Sequence, residues 1–441
     1  MEVGTCSAFC NKLWLHRRLS RVSYQESSGF KPRCAGFLHC SRTFSLSQNF
    51  NKFPSKFPRE RAAVKATEDF PRVSKTGVDL QNVHVEAIAL SNLCVDIILS
   101  VRNLPHEFSE ERKNLLKQLT SSNTDNMTWE VGGCCNFLIA AARLGLRCAS
   151  VGHASADRYG KFINQVLKSE GVLAVENILP AEAERALGTL LCFVLVDPEG
   201  RHAFCSSYDF GPWPLLGDVR ALPGPAAQIL RETRAVYVNG FCFDEMSADL
   251  VVESVAASEA AGAAVFFDPG PRCWTMLEGD RRAAMDAVLR HATGVLVTLE
   301  EGKAITGRDT PEGIAASLRS KGNEQIEWVV VKNGAEGAAL VTKDRVFHSP
   351  AFEVPVCDTV GCGDSFAAAV ILGYIREAGV GATLALANAV GAATATRRGA
   401  GRNVGDLRTV RSLLEASGGP DAAAALALCG SLPADVRHRG D

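Results

Sequence analysis

From Val85 onward the chain alternates short apolar runs with longer amphipathic ones, and this alternation constrains the fold more than any other feature of its 441 residues. VEAIALSNLCVDIIL, RCASVGH, LLCFVLVD, AVYVNGF, AAVFFDPG, GVLVTLE and WVVVKNG are rich in Val, Ile, Leu and Phe, and most end at Gly, Asn or Asp, as buried strands do. NFLIAAARLGL, the stretch Ser247–Gly262 and the segment from Thr310 have helix length and lie between such runs. Repeated strand, helix, strand units set successive strands parallel, and a parallel sheet needs cover on both faces. The expectation is an α/β chain, a doubly wound, mostly parallel sheet with helices on both faces and a mostly helical last third. Two segments break the alternation. Arg102–Met127 is polar and charged, and Leu191–Ser207 reads as a hairpin turning at DPEG. Hairpin strands do not belong in a doubly wound sheet, so a small separate β flap is expected.

A hydrophobic content of 46% supports a sizeable core, and a net charge of -2 gives no general electrostatic reason to bind nucleic acid or an anionic membrane. No apolar run approaches the ~20 residues that span a bilayer. A soluble protein acting on small molecules is expected. The fifteen cysteines are scattered without a CxxC pair, which suits buried thiols in a reducing compartment better than a disulfide framework or a zinc site. Residues 1–68 differ from the rest. Within the first sixty-odd of them basic residues from Lys12 to Arg61 far outnumber the acids Glu2, Glu26 and Glu60, and serines recur, which is the composition of an organellar transit peptide; a basic tail without an address is the alternative. The expected destination is the plastid, with the mitochondrion or cytoplasm as alternatives. The main domain is placed at 85–412, and 413–441 is expected to be a peripheral, alanine-rich tail.

The chemistry centres on DTVGCGDSF, Asp358–Phe366, followed by the apolar AAAVILGYI. Gly361 and Gly363 let a ligand approach the main chain, and the helix that starts behind them turns its free first-turn N–H groups into the loop, an arrangement that binds anions. Asp364 is then out of place beside a phosphate unless it accepts a proton from an attacking hydroxyl. Taken alone, G-x-G-D is also the pattern of a capped helix start. Neither G-x-x-x-x-G-K-[ST] nor a strand-following G-x-G-x-x-G is present.

DTVGCGDSF resembles the C-terminal signature of the PfkB carbohydrate kinases, the ribokinase-like family, and six further blocks follow that family's order. VGGCCNFLIAAARLG is similar to its N-terminal signature, and ASADRYGKF keeps Asp157 and Gly160 of the next block, with Ser155 in place of a glycine. FFDPGPR, VTLEEGKAITG, VVVKNGAEGA and ANAVGAATATRRGA resemble the remaining blocks, so that the likeness spans about Val85 to Asn403. It implies a ribokinase-like fold with a small β lid, near 97–130 and 187–210, and ATP-dependent phosphorylation of a sugar, ribose- or fructose-like.

The resemblance also implies roles. Asp364 would be the catalytic base, and Gly361, Cys362 and Gly363 would supply anion-hole amides. Glu301 would help hold Mg2+. Thr298, Lys332, Asn333, Gly334, Gly337, Thr359 and Asn388 would hold the nucleotide. Residues 395–400 would form a potassium loop, K+ being an optional cofactor beside ATP and Mg2+. Asn92 and Asp96 would meet the sugar hydroxyls over a floor of Gly132, Gly133 and Asn136, and two copies would pair through the lid. Departures are Thr298 and Ser91 where the family has Asn and Gly, Cys362 where it usually has alanine, and a glycine pair one residue nearer Asn136, which leaves the sugar open. Cys362 is either a neutral replacement or, as a thiol at a helix N-terminus, one that ionises readily. A nucleoside kinase and a non-catalytic fructokinase-like subunit of a plastid complex are the rival readings.

Overall fold

The computed structural model describes residues 84–430 apart from 91, 107–108, 176–187, 199–201, 212 and 323. The expected presequence, Ser91 and residues 431–441 lie outside the described residues. The strands in chain order are β1 (Ala87–Leu90), β2 (Leu93–Ser100), β3 (Thr128–Gly133), β4 (Cys148–Val151), β5 (Leu173–Val175), β6 (Leu190–Val196), β7 (His202–Ser206), β8 (Ala235–Asn239), β9 (Ala264–Asp268), β10 (Gly294–Thr298), β11 (Trp328–Lys332), β12 (Ala338–Val341) and β13 (Val346–Ser349).

Nine of them form one sheet in the order β13-β12-β11-β10-β9-β8-β1-β4-β5, parallel from β5 to β11 and closed by two antiparallel strands at the β13 edge. Along β8 the side chains alternate: Ala235 and Tyr237 enter one core, Val236 and Val238 the other. The first core is covered by the Cys135–Arg143, Cys362–Ile375 and Val380–Ala395 helices, the second by Ala248–Ala260, Gly279–Leu289 and Pro311–Lys321. This is the doubly wound α/β arrangement that the alternating pattern implies. The Cys362–Ile375 helix is apolar all round because it is buried on all sides, from Ser365 to Leu372.

The remaining four strands form a second sheet in the order β3-β2-β6-β7, in which β6 and β7 pair antiparallel as the expected hairpin; residues 199–201 of its turn lie outside the described residues. One run read as a single strand is in fact two. VEAIALSNLCVDIIL leaves the large sheet after Leu90 and enters the small sheet at Leu93, which carries Asn92 and Asp96 to the junction of the two. The polar stretch before β3 contains the Glu110–Thr120 helix, capped by Ser109, whose side chain accepts from Arg112 N. The C-terminal residues up to Gly430 form two helices, and Leu414, Ala422, Ala425 and Cys429 are buried in the first core. Among the described residues the cysteines are free thiols, most of them buried, and no helix is long and apolar enough to cross a membrane.

Candidate active site

Residues 350–357 run without regular structure from β13 to the loop that opens the Cys362–Ile375 helix. Asp358 builds that loop. Its Oδ1 accepts from Val360 N at 3.0 Å and its Oδ2 from Gly399 N at 2.9 Å, while Ala395 O accepts from Cys357 N at 2.8 Å. Gly361 is the N-cap at φ 78°, a left-handed conformation, and a Cβ there would lie 3.0 Å from Ala400 Cβ. Thr359 accepts from Cys362 N at 3.3 Å through its carbonyl. The turn therefore leaves first-turn amides of a fourteen-residue helix facing the loop.

Cys362 does not ionise readily. Burial, then the charges of Asp358 and Asp364, push its thiol up to about 12, against the favourable pull of the helix end. This direction is opposite to the one expected of an activated thiol.

Asp364, in the first turn, is partly buried. Asn136 donates to its Oδ2 at 3.1 Å and the Tyr237 hydroxyl donates to its Oδ1 at 3.2 Å. Burial raises the carboxyl to about 6, with Asp268 adding to the rise and Asn136, Lys332 and Tyr237 opposing it. The Asp364 carboxylate thus accepts from two residues of other elements, one on the Cys135–Arg143 helix and one on β8.

Lys332, at the end of β11, donates to Asp268 Oδ2 at 2.6 Å, at the end of β9. Burial works against its charge, but Asp268 and Glu301 outweigh it and raise its pKa. A Cβ built on Gly363 would lie 3.7 Å from Lys332 Nζ, so the ammonium stands beside the glycine turn. Thr298 and Glu301 form a reciprocal capping box: Glu301 Oε2 accepts from Thr298 N at 2.7 Å and Thr298 Oγ1 from Glu301 N at 3.2 Å. Burial raises Glu301 above its ordinary value, opposed by Lys332. Among the described residues no cluster of three His, Cys, Asp or Glu side chains is placed to hold a metal ion by itself. The donors present, Asp268 and Glu301, are hard carboxylates of the kind Mg2+ shares with water and phosphate.

The other expected nucleotide residues lie along one edge. Asn333 and Gly334 follow β11, and Gly337 closes that turn against the chain after β13, where a Cβ would meet Ser349 O at 2.1 Å. Asn388, on the Val380–Ala395 helix, donates to Ser349 O and Pro350 O, both at 3.0 Å, and thereby fixes the same strand exit. Its amide acts on backbone in this structure.

On the lid side, Asn92, Asp96, Gly132 and Gly133 do come together. A Cβ on Gly132 would lie 2.3 Å from Asp96 Oδ1, and Cys134 N donates to Asn92 O at 3.0 Å. Cys94 Sγ donates to Asp96 Oδ1 at 3.5 Å. Burial raises Asp96 to about 7; the nearby Glu130 and Asp364 add to this and the Cys94 and Cys192 thiols oppose it. Asn136, expected as floor, also holds Asp364, and its Oδ1 accepts from Gly401 N at 2.8 Å.

Tyr237, Asp268, Glu130 and Arg402 were given no role from the sequence, and Asp358 was named only as the first residue of its motif. Glu130 Oε1 accepts from Arg402 N at 3.2 Å and from Arg402 Nε at 3.1 Å, which fastens lid strand β3 to the loop beside Asn136. The only local signals were a hydroxyl inside an apolar strand, for Tyr237, and a strand-ending carboxylate, for Asp268.

Comparison with known proteins identifies the family and the fold. The chain is 24% identical over 345 residues to a 5-dehydro-2-deoxygluconokinase of Shouchella clausii, covering 75% of this chain and 95% of that protein. It is 29% identical over 301 residues to the probable fructokinase-4 of Arabidopsis thaliana, covering 64% and 87%. An E. coli protein described as a ribokinase II, solved with ATP and Mg2+, superposes with a TM-score of 0.62 at 22% identity over 75% of this chain and 99% of that one. Residues 90–406 match the family described as pfkB family carbohydrate kinase. With a ribokinase-like fold and a match over most of its length, the chain belongs to the pfkB family of carbohydrate kinases.

Proposed function

We propose that the protein transfers the γ-phosphoryl group of ATP to a hydroxyl of a ribose- or fructose-like sugar, with Asp364 as the general base. The observation that carries this reading is the placement of Asp364: a partly buried carboxylate, raised to about 6 and held by two neutral donors, in the first turn of the helix whose amides face the glycine loop. A base with a pKa just below neutrality is mostly ionised at pH 7 and still basic enough to take a hydroxyl proton as the oxygen attacks. The Gly361–Gly363 amides and the Lys332 ammonium supply positive potential to the transferring group, and Asp268 keeps Lys332 aimed there. Bound Mg2+ would neutralise phosphate charge, and Glu301 and Asp268 are the carboxylates that would help hold it. Asp96 and Asn92, brought to the lid junction by β2, would receive the sugar hydroxyls. Lid closure would exclude the water that otherwise competes as acceptor.

The test is ADP release by the purified protein lacking its first 68 residues, run against a panel of sugars and nucleosides. A sugar is expected to give the highest kcat/KM, with an acid limb near pH 6 from Asp364. A nucleoside in that place would move the assignment to a nucleoside kinase. Tight ATP binding with no turnover of any acceptor would make the protein a non-catalytic subunit.

The basic, serine-rich composition of residues 1–68 supports a plastid address. A full-length fluorescent fusion is expected in plastids, and deletion of 1–68 should leave it in the cytosol. A full-length fusion found only in the cytosol rejects the address.

A further inference from the structure

We propose that Tyr237 is a positioning residue for phosphoryl transfer: with Asn136 it clamps the two oxygens of Asp364, so that the carboxylate presents its remaining lone pairs in one fixed orientation. The inference rests on the reading of Asp364 as base and adds the device that holds it.

The phenol sits in the middle of β8, 1% exposed, and a buried tyrosine hydroxyl needs a polar partner. Strand alternation sends it to the face that carries the Cys362–Ile375 and Cys135–Arg143 helices, and its hydroxyl reaches Asp364 Oδ1. The ring is held flat by Phe137, with centroids 4.3 Å apart and planes at 18°. Phe137 directly follows Asn136, so one helical turn supports both halves of the clamp, one by hydrogen bond and one by stacking. The orientation of the Asn136 amide is set by its other end: Oδ1 accepts from Gly401 N, which leaves the NH2 group for Asp364.

An ionised carboxylate has about four lone-pair sites. The clamp occupies one on each oxygen and leaves the others for the reaction. Both donors are neutral, and this matters chemically. A cation bonded to the same oxygens would favour the ionised form so strongly that basicity would be lost. The cation that is present, Lys332, is held by Asp268 instead.

Tyr237→Phe keeps the ring and its stack and removes only the hydroxyl. Because that hydroxyl favours the ionised base, its loss is expected to move the acid limb of kcat upward by about one pH unit, which by itself lowers kcat at pH 7 about twofold; loss of the fixed orientation is expected to bring the total to about tenfold, with both KM values within about twofold. In an Asp364→Asn background the same change is expected to cost nothing further. An unmoved acid limb, or a full extra loss in the Asp364→Asn background, overturns the clamp. If Asp364→Asn is itself as active as wild type, the base reading falls, and the clamp is then read without turnover. In 13C-aspartate-labelled protein, the carboxyl resonance missing from Asp364→Asn is expected to titrate at higher pH in Tyr237→Phe, and an unchanged midpoint overturns the clamp whatever the rates.

Discussion

Asp364→Asn is expected to lower kcat by about 10²–10⁴-fold, the usual worth of a positioned general base, while ATP binds as before. The same variant is expected to be more stable than wild type at neutral pH. Burial holds the Asp364 carboxyl near 6 against an ordinary 3.8, so the folded protein keeps a proton that the unfolded chain has already released between about pH 4 and pH 6. The cost of ionising it in the core is therefore absent below about pH 4 and complete above about pH 6. Asparagine carries no such cost, which gives the variant on the order of 1–3 kcal/mol at pH 7, a difference that should shrink toward pH 4. Steady-state rates and thermal melts at pH 4.5 and 7 check both halves. Near wild-type turnover would reduce Asp364 to a feature of the helix start.

Asp96→Ala is expected to raise the sugar KM about a hundredfold or more and to leave the ATP KM within about threefold, since a buried carboxylate accepting from substrate hydroxyls makes charge-assisted hydrogen bonds. Asp96 lies against Gly132 with no room for a side chain between them, so its removal leaves a gap at the lid junction that water fills. Its carboxyl is raised to about 7. Sugar affinity in the wild type should accordingly strengthen as pH rises through 7, and this dependence should vanish in Asp96→Ala. A sugar KM unchanged by the substitution would place the acceptor elsewhere in the fold.

Much of the architecture was legible because its signals are local. Apolar runs of strand length ending in Gly, Asn or Asp gave β4, β6 and β8 to β11, and the order of glycines and carboxylate in Asp358–Phe366 marked the loop. What stayed hidden depends on contacts between distant residues. VEAIALSNLCVDIIL looks continuous because both of its halves are buried, although in different sheets. β3 was obscured by the Glu130 in its middle, whose charge is offset by Arg402, 272 positions away. The Lys332–Asp268 pair joins strand ends 64 positions apart with β10 between them, a juxtaposition that no window on the sequence contains. Tyr237 looked like one more strand residue, since aromatic side chains are ordinary there. At Cys362 the helix-end potential is a local argument, whereas the burial and carboxylates that raise its thiol are tertiary.

The short loop beside Asn136 has a consequence for how sequences of this kind can vary. Gly399 N is held by Asp358, Gly401 N by Asn136 and Arg402 by Glu130, three anchors from three separate parts of the chain within four consecutive residues. Two of the ties are made by main-chain N–H groups alone, so spacing governs them more than side-chain chemistry does. An added or missing residue between 399 and 402 would alter no group that touches a substrate, yet it would force at least one anchor to be released. Relatives that keep these anchors are expected to differ here by substitution and not by length.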